Sequence, residues 1–449
     1  MRTQPARKLT QILGIVLCAL SFIIPDQQIT ANAESPETVT QNIQLGSEVL
    51  RKNCNTGKAA RVHMGNNAYA SWRVIGYEND GILSSSDTIT FISDNIITYG
   101  SYASNDRQDN YYSTSNLKSL MSRVEERFSF NEVRYIKPVD LNGYSDNYGA
   151  ETYKANNISG PGVANAPFWP LSVEEANMLN DDLLLTDTLN PQENKASWWL
   201  RTPGLESDKA AFVQGNGIIV AEGASVHDES SASYGVRPAF EMEKKDILFV
   251  SAVDGGKDSS YDGILRAPQK CEDTEMKITF ATDDIAVDLN GDINRWYNTI
   301  SVPYKCSIHL DTLSIFITDK KYNEIGAKIL YYGHLKPETD FYDNTGIATF
   351  ELPGDYDTSW KVYLLAEVIY EEGSDFSSRP LLIDIPKLHQ KPLKNIATKS
   401  DFLDYCITRP ADEMQTLNFA GTRWYVINYK GVGNIAGNPE TITLLSKES

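Results

Sequence analysis

The stretch that decides the fold reads WRVIGY at residues 72–77 and TITFIS at residues 88–93. Both runs are rich in β-branched and aromatic residues, and the segment between them is rich in Gly, Asn, Asp and Ser. Two such runs around a turn-forming segment are typical of a β-hairpin. We therefore predict a hairpin over Trp72–Ser93.

The same pattern returns near the end of the chain, as WYVINY at residues 424–429 and TITLLS at residues 441–446. From Trp to the last Ser the spacing is 21 residues in the first copy and 22 in the second, and a Cys precedes each Trp by 18 residues. This indicates an internal repeat. Because a lone hairpin is marginally stable in water, residues 389–449 either pack on another surface or, as we expect, are a linker plus the N-terminal part of a truncated second copy.

Residues 1–33 are typical of a cleavable signal peptide. Three basic residues precede an apolar run at 12–24, and ANA at 31–33 supplies a small-x-small cleavage site. The apolar run is shorter than the roughly 20 residues that span a bilayer. We predict a secreted or cell-surface protein with no membrane span after cleavage.

The chain is acidic, with a formal net charge of -19 that becomes -21 once residues 1–33 and their three basic and one acidic residues are removed. Nucleic-acid binding needs clustered Lys and Arg, so this composition excludes a nucleic-acid partner. The partner we expect is an unknown glycan or protein ligand. The composition does not specify an oligomeric state.

Residues 244–388 read as successive short strands separated by Gly, Pro and Asp. Seven short strands at regular spacing predict an immunoglobulin-like β-sandwich. The predicted strands are Met276–Phe280, Thr299–Val302, Leu313–Thr318, Lys328–Tyr332, Ala348–Leu352, Val362–Tyr370 and Leu381–Ile385.

The sequence pattern of residues 34–243 predicts an α+β module in which strands outnumber helices. Leu117, Leu120, Met121, Val124 and Phe128 fall on one helical face. A second helix begins at the capping box of Ser172 and Glu175 and runs through Leu179. Further predicted strands are Ser197–Arg201, the hairpin of 211–214 and 218–221, and Tyr234–Phe240.

The motif SWWLRTPG at residues 197–204, followed by GVRPAF at 235–240, resembles an uncharacterised bacterial domain that recurs in secreted and surface proteins of Gram-positive bacteria. The Trp72–Ser93 and Trp424–Ser446 segments match its opening pattern, and alternation with immunoglobulin-like modules is typical of it. At the level of fold, the closing pattern resembles the C-type-lectin-like and formylglycine-generating-enzyme superfold. The resemblance implies a β-rich, C-type-lectin-like module and no established activity.

The residues that carry this resemblance could bind a ligand, but structural roles also explain them. Arg201 and Arg237 could clamp an anion, but an arginine embedded in an apolar strand more often satisfies carbonyl groups and a buried acid. Trp72, Trp198 and Trp199 could stack on a sugar, but tryptophans in strands are more often core. We treat these five residues, with Gly235 and Pro238, as a structural signature.

Cysteines are sparse after residue 33, with Cys54, Cys271, Cys306 and Cys406. The absence of a C-x-x-C pair argues against a zinc or thioredoxin-like centre. An oxidising location permits a Cys271–Cys306 disulfide, since both residues lie in one predicted domain. We weigh that bridge evenly against unpaired thiols.

The best candidate binding surface is a set of tyrosines in segments otherwise rich in Ser, Asn, Asp and Gly. This composition is typical of adaptable binding loops. Solvated loops with half-buried tyrosines and no ligand would have the same composition. The candidates are Tyr99, Tyr102, Tyr111, Tyr112, Tyr144, Tyr148 and Tyr153.

Catalytic signals are few. Residues 34–243 hold no nucleophile elbow, zincin, P-loop or dinucleotide motif, and a calcium-like run from Asp288 lacks the Gly and Glu that such a loop needs. We predict no catalytic residue, metal or cofactor. The leading hypothesis is an exported, non-catalytic adhesion or ligand-binding module array. The alternatives are a spacer that projects a further domain and a carbohydrate-active enzyme with two facing carboxylates.

Overall fold

The computed structural model describes most of residues 42–387 and three strands nearer the C-terminus. The described ranges are 42–56, 61–65, 71–78, 84–85, 87–103, 110–141, 162–187, 195–227, 233–257, 263–271, 275–296, 298–308, 312–335, 344–370, 373–387, 417–419, 422–429 and 442–446. The predicted signal peptide and most of the predicted linker lie outside these ranges. No helix in the described ranges is both long and apolar enough to cross a membrane.

The described chain is mostly β, as the sequence predicts. From the N-terminus to the middle, the strands are β1 (Ile43–Leu45), β2 (Arg61–His63), β3 (Ser71–Tyr77), β4 (Thr88–Ser93), β5 (Thr98–Tyr99), β6 (Ile136–Lys137), β7 (Val139–Leu141), β8 (Val163–Ala166), β9 (Trp198–Pro203), β10 (Lys209–Val213), β11 (Ile219–Ser225), β12 (Gly235–Val236), β13 (Ala239–Glu243) and β14 (Ile247–Ala252). They continue as β15 (Met276–Ala281), β16 (Val287–Leu289), β17 (Asn294–Trp296), β18 (Thr299–Cys306), β19 (Thr312–Thr318), β20 (Ile329–Leu335), β21 (Thr345–Glu351), β22 (Lys361–Val368), β23 (Asp375–Ser377), β24 (Leu381–Ile383), β25 (Leu417–Phe419), β26 (Thr422–Tyr429) and β27 (Ile442–Ser446).

The helices of the described chain are short. They are α1 (Gly46–Lys52), α2 (Asn116–Met121), α3 (Phe130–Val133), α4 (Val173–Asn177) and α5 (Asp181–Leu184), with 3-10 turns at Tyr112–Thr114, Val124–Arg127 and Lys244–Asp246. The helix predicted from the apolar face after Leu117 ends at Met121 and resumes as a 3-10 turn. Helix α4 begins at the predicted capping box, in which Ser172 and Glu175 bond each other's backbone N–H groups.

The hairpin predicted over Trp72–Ser93 is formed by β3 and β4. Its register places Trp72 opposite Ser93, and a bulge interrupts the pairing between Val74 and Gly76. Strand β2 lines the other edge of β3, where Val62 lies opposite Trp72. Strands β2, β3 and β4 are therefore a three-stranded antiparallel unit with one bulge.

Strands β25, β26 and β27 repeat this unit. Trp424 lies opposite Ser446, and the bulge falls between Val426 and Asn428, the positions equivalent to those in the first copy. On the other edge Leu417 lies opposite Trp424. The two copies thus share their register, strand order and bulge, and the repeat in sequence is a repeat in backbone structure.

The segment predicted as one strand over Tyr234–Phe240 is divided between two sheets, which corrects the prediction. Strand β12 pairs with β5 and β9 in a five-stranded sheet ordered β11-β10-β9-β12-β5, whereas β13 pairs with β4 and β6 in the largest sheet. The division falls at Arg237 and Pro238. Proline has no N–H to donate to a ladder, so the chain leaves one sheet there and enters the other.

The seven strands predicted between residues 276 and 385 are all present, as β15, β18, β19, β20, β21, β22 and β24. They lie in two sheets. One carries β20-β19-β22 together with β15, β23 and β24, and the other carries β16-β18-β17 with β21. Inward side chains of β18, such as Ile300 and Val302, belong to the same buried cluster as Ile315 of β19 and Leu364 of β22.

The largest sheet has 13 strands and continues across the predicted boundary after residue 243. Strand β15 pairs in parallel with β2, where Met276 lies opposite Val62. Strand β14 pairs with β1, where Val250 lies opposite Gln44. Residues assigned by sequence to two modules therefore share one hydrogen-bonded sheet, and the domain boundaries themselves remain predictions.

The Cys271–Cys306 disulfide is not formed, and both residues are thiols in the structure. Cys306 ends β18 in the four-stranded sheet. Cys271 lies beside β14, where Gln44 Oε1 at 3.3 Å and Val250 O at 3.7 Å are alternative acceptors for its single thiol hydrogen. The two cysteines were assigned to one domain by sequence, but they contact different sheets.

Candidate functional site

A polar cleft of about 530 Å³ opens where helix α4 meets the edge of the largest sheet. Four acids, two bases and several hydroxyl groups line it, together with one tryptophan. The lining residues are Ser84, Ser85, Lys137, Pro138, Val139, Asp140, Leu141, Trp169, Ser172, Glu174, Glu175, Arg201 and Glu241. We call this feature the polar cleft.

The floor of the polar cleft is a buried ion pair between Arg201 of β9 and Glu175 of α4. Arg201 Nη2 donates to Glu175 Oε1 at 2.7 Å, and Nη1 donates to Oε2 and to Pro170 O. Glu175 Oε2 also accepts the N–H of Ser172 at 2.9 Å. A carboxylate held at both oxygens by a fork of N–H groups has a fixed orientation. The floor is therefore rigid.

One wall of the polar cleft belongs to strands β6 and β13, which place Lys137 opposite Glu241. Glu241 accepts hydrogen bonds from the N–H and Oγ of Ser85, at 3.1 and 2.8 Å. Asp140 follows on β7 and accepts the N–H of Asn165 at 2.9 Å. Glu174 is half-buried at the start of α4. The rim of the polar cleft thus carries both hydrogen-bond donors and acceptors.

The tryptophans of the signature lie in the core and not in the polar cleft. Trp72, Trp198 and Trp199 are each at most 2% exposed. Trp72 packs edge-on against Phe240 with ring centroids 4.8 Å apart, and Trp199 packs on Tyr234 at 4.4 Å. Both sides of β9 are buried, so neither Trp198 nor Trp199 faces solvent. Their rings are not accessible to a sugar.

Arg237 is also buried and satisfies backbone carbonyl groups. Its Nε donates to Ser93 O at 2.9 Å, its Nη1 donates to Leu183 O, and its guanidinium lies 5.0 Å from the Trp198 ring centroid. Burial lowers the pKa of Arg237 to about 10. Gly235 is required at its position because a Cβ there would overlap the side chain of Ile96. These contacts hold in place the segment at which the chain passes from the five-stranded sheet to the largest sheet.

The candidate tyrosines are separated by the fold. Tyr102 and Tyr112 are buried, at 0% and 3% exposure, which removes them from any surface that could contact a ligand. Tyr102 donates to Arg201 O at 3.1 Å, and burial raises the pKa of Tyr112 well above its ordinary value. Tyr99 and Tyr111 are half-buried. Tyr144, Tyr148 and Tyr153 lie outside the described residues.

The polar cleft was not found by sequence reasoning, although some of its residues were. Arg201 and Glu175 appeared in the sequence as separate features, a signature arginine and a helix cap. Lys137 and Glu241 gave no local signal, because only strand pairing brings them together. The signature arginine and the capping-box Glu are the two local signals for the polar cleft, and neither indicates that the two side chains pair.

Of the four acids in the polar cleft, Glu175 and Glu241 are engaged by fixed donors within the protein. The calcium-like run begins at Asp288 in β16 and continues through the turn to Asn294, the first residue of β17. Among the described residues there is no group of three or more His, Cys, Asp and Glu side chains arranged to hold a metal ion.

Residues 86–244 match the family described as Domain of unknown function (DUF6273). The match covers the strands and helices that build the polar cleft, apart from Ser84 and Ser85 at its rim. The expectation of an uncharacterised domain in this part of the chain is confirmed. No curated protein and no solved structure matches the chain.

Proposed function

We propose that this protein is an exported, non-catalytic ligand-binding protein, and that the domain at residues 86–244 binds a hydroxyl-rich ligand such as a glycan in the polar cleft. The observation that carries the proposal is the fixed floor of the cleft, where Arg201 and Glu175 satisfy each other. A site whose buried groups are already oriented loses little conformational entropy when a ligand arrives.

The composition of the rim supports the class of ligand. Lys137 is a donor, and Asp140 and Glu174 are acceptors, while the hydroxyl of Ser85 can do both. A sugar hydroxyl also donates and accepts, so a rim that carries both kinds of group suits it better than it suits a purely anionic ligand. The excess of acids over bases in the lining disfavours phosphate or sulfate groups.

The finer features of fold and location belong to the same proposal. We propose that residues 34–243 adopt a C-type-lectin-like arrangement and that residues 244–388 form an immunoglobulin-like sandwich. The signal-like composition of residues 1–33 supports export to the cell surface or the medium. An array of a ligand-binding module and a sandwich module is suited to adhesion.

Screening the purified protein on a glycan array, followed by titration calorimetry with the glycans that bind, tests the proposal. Glu174→Gln and Lys137→Ala each remove one charged rim group without touching the Arg201–Glu175 floor. A hydrogen bond to a charged group contributes about 1.5–3 kcal/mol. Each variant should therefore weaken binding roughly tenfold or more.

The matched control is Glu125→Gln, which neutralises an exposed acid outside the polar cleft and should bind like the unchanged protein. Equal affinity in all variants would contradict the cleft assignment. Absence of binding to glycans and to cell-wall or host proteins would favour the spacer. Turnover of a bound glycan would favour the enzyme.

A further inference from the structure

Three buried ionisable side chains meet beside the neighbouring strands β22 and β23 of the largest sheet, and none of them lines the polar cleft. Lys257 Nζ lies 2.7 Å from Glu367 Oε1 and 3.0 Å from Asp375 Oδ2. The side chains are 2%, 0% and 0% exposed, respectively. Burying charges costs several kcal/mol per ion, and a buried ion pair often returns less than apolar residues of the same volume would. The arrangement therefore has a poor explanation as a stabilising contact alone.

The fold brings these residues together from distant segments. Lys257 ends the turn after β14, Glu367 lies on β22, and Asp375 begins β23. The turn needs its glycine, since a Cβ at Gly256 would overlap the backbone of Ala252. With that glycine the chain folds back, and the Lys257 side chain enters the interior.

The two oxygens of Asp375 have different surroundings. Oδ1 accepts hydrogen bonds from Lys277 Nζ at 2.8 Å and from the N–H of Tyr370 at 3.1 Å. Oδ2 faces the Lys257 ammonium. Two fixed donors on one oxygen stabilise the negative charge that develops there when a nucleophile adds to the carboxyl carbon. The other oxygen is then positioned to leave.

Glu367 is fixed as the neighbour of the Lys257 amine. Its Oε1 accepts from Lys257, and its Oε2 accepts from Tyr332 Oη at 2.6 Å and from Ser314. Burial alone would raise the pKa of Glu367, but the charges of Lys257 and His334 and the hydrogen bonds lower it to about 2. The two carboxylates in turn raise the pKa of Lys257 against the effect of its burial, so the starting state is an ion pair. The Nζ–Oε1 hydrogen bond of 2.7 Å, and not the pKa, positions Glu367 to receive a lysine proton.

We infer that Lys257 and Asp375 condense to an intramolecular amide, with Glu367 as the proton acceptor. Glu367 takes a proton from the Lys257 ammonium, and the neutral amine attacks Asp375 Cγ. The Nζ–Cγ bond forms and the Cγ–Oδ2 bond breaks. Two of the three ammonium protons leave with Oδ2 as one water molecule, one of them through Glu367. No oxidant, reductant or activating group is required.

Proximity and burial both favour this step. Groups held in reacting geometry have effective molarities of order 10⁵ M or higher, which offsets the slow rate of amide formation in water. The Phe249 ring centroid lies 5.9 Å from Lys257 Nζ and gives the site an apolar side. Condensation also replaces two buried charges by a neutral amide and so removes their desolvation cost. Lys277 and Glu367 remain, with opposite charges.

The bond would tie the turn after β14 to β23, with β15 between them in the sheet. Residues 258–374 would become a closed loop that contains most of the sandwich. A covalent closure of this kind stabilises by restricting the unfolded chain, as a disulfide does. Unlike a disulfide, an amide is insensitive to reducing agents.

Intact mass spectrometry of the purified full chain under denaturing conditions tests the inference. The expected mass is that required by the sequence from the observed N-terminus, less one water molecule. Tryptic digestion should then yield a branched peptide that joins the segment containing Lys257 to the segment containing Asp375. The full sequence mass, with both peptides linear, would overturn the inference without recourse to any variant.

Variants locate the bond. Lys257→Arg, Asp375→Ala and Glu367→Gln should each restore the sequence mass, with circular dichroism recorded to show that the protein is folded. The control Lys245→Arg changes an exposed lysine that pairs with Glu243 and should keep the loss of water. Loss of water that persists in a Lys257→Arg or Asp375→Ala variant would also overturn the assignment.

Discussion

Arg237 shows how one buried residue holds the junction between the two sheets. It donates to Ser93 O and to Leu183 O, and the latter carbonyl belongs to the end of helix α5. The last carbonyl groups of a helix have no partner within it. Trp198 Nε1 satisfies the next carbonyl, Leu184 O, at 3.2 Å. The two signature residues thus complete the end of one helix.

We expect Arg237→Ala to destabilise the protein by about 2–6 kcal/mol, because each of the two carbonyl groups left unpaired costs about 1–3 kcal/mol. Urea unfolding followed by tryptophan fluorescence measures the change. The control is Arg123→Ala on the exposed surface, which should stay within about 0.5 kcal/mol of the unchanged protein. Equal stability of the two variants would show that Arg237 has no structural role.

Burial also controls the reactivity of the thiols of Cys306 and Cys271. Burial raises the pKa of Cys306 to about 11, and the thiolate is the form that alkylating reagents attack. In the folded protein at pH 8, Cys306 and the buried Cys271 should react slowly with iodoacetamide. Both should react rapidly in denaturant without any reductant. Labelling that requires a reductant would show that Cys271 and Cys306 form a disulfide, in contradiction to the structure.

At the scale of elements, helix α4 matters because it carries Glu175 to the polar cleft. The helix has only five residues, so its capping box contributes a large share of its stability. Ser172 Oγ accepts the N–H of Glu175 at 3.1 Å, and the Glu175 carboxylate returns the contact to the N–H of Ser172. The Glu175 side chain therefore belongs both to the cap of helix α4 and to the floor of the polar cleft.

We expect Ser172→Ala to cost about 1 kcal/mol, the usual loss for an N-cap, and to weaken ligand binding as Glu175 loses part of its support. Thermal unfolding and calorimetry measure the two effects. Ser122→Ala removes an exposed hydroxyl that bonds Ser119 O at the end of α2 and serves as the control. An unchanged melting temperature in Ser172→Ala would contradict the role of the cap.

The repeated hairpins show what an element keeps when its sequence changes. Gly76 of the first copy corresponds to Asn428 of the second, yet the register shift falls at the same place in both. The residues passed over by the pairing are Ile75 and Ile427. A bulge adds a residue to one strand and is a maintained feature rather than a defect. The recurrence of the bulge supports a true repeat.

The two predicted modules share one sheet of 13 strands. Strands β1 and β2 precede the matched domain, and they find partners in β14 and β15, which follow it. A cut after residue 243 would expose two strand edges and apolar residues of β1 and β2. Unpaired edges and exposed apolar surface lower stability and promote aggregation.

We therefore expect a fragment of residues 42–243 to be less stable than one of residues 42–387, and to aggregate more readily. The longer fragment should unfold in one cooperative transition. Differential scanning calorimetry and size-exclusion chromatography measure both properties. Two separate transitions in the longer fragment, one of them matching the shorter fragment, would show that the modules fold independently.

Local pattern by itself determined the mostly β character, the repeated hairpin, the capping box at Ser172 and the seven predicted strands between residues 276 and 385. These features depend on residues close in sequence, where alternation, turn composition and cap chemistry act directly. Export remains a prediction from residues 1–33. The composition of a loop does not show which residues pack over it, so the sequence did not predict that Tyr102 and Tyr112 are buried.

Only the tertiary structure decided which distant side chains meet. The Arg201–Glu175 floor, the Lys137–Glu241 wall and the Lys257–Glu367–Asp375 cluster each join segments that share no local pattern. Their chemistry arises from strand pairing between remote parts of the chain, and from burial that makes each charge depend on its partner. The division of 234–240 between two sheets has the same origin, because a strand's partner is chosen by the whole fold.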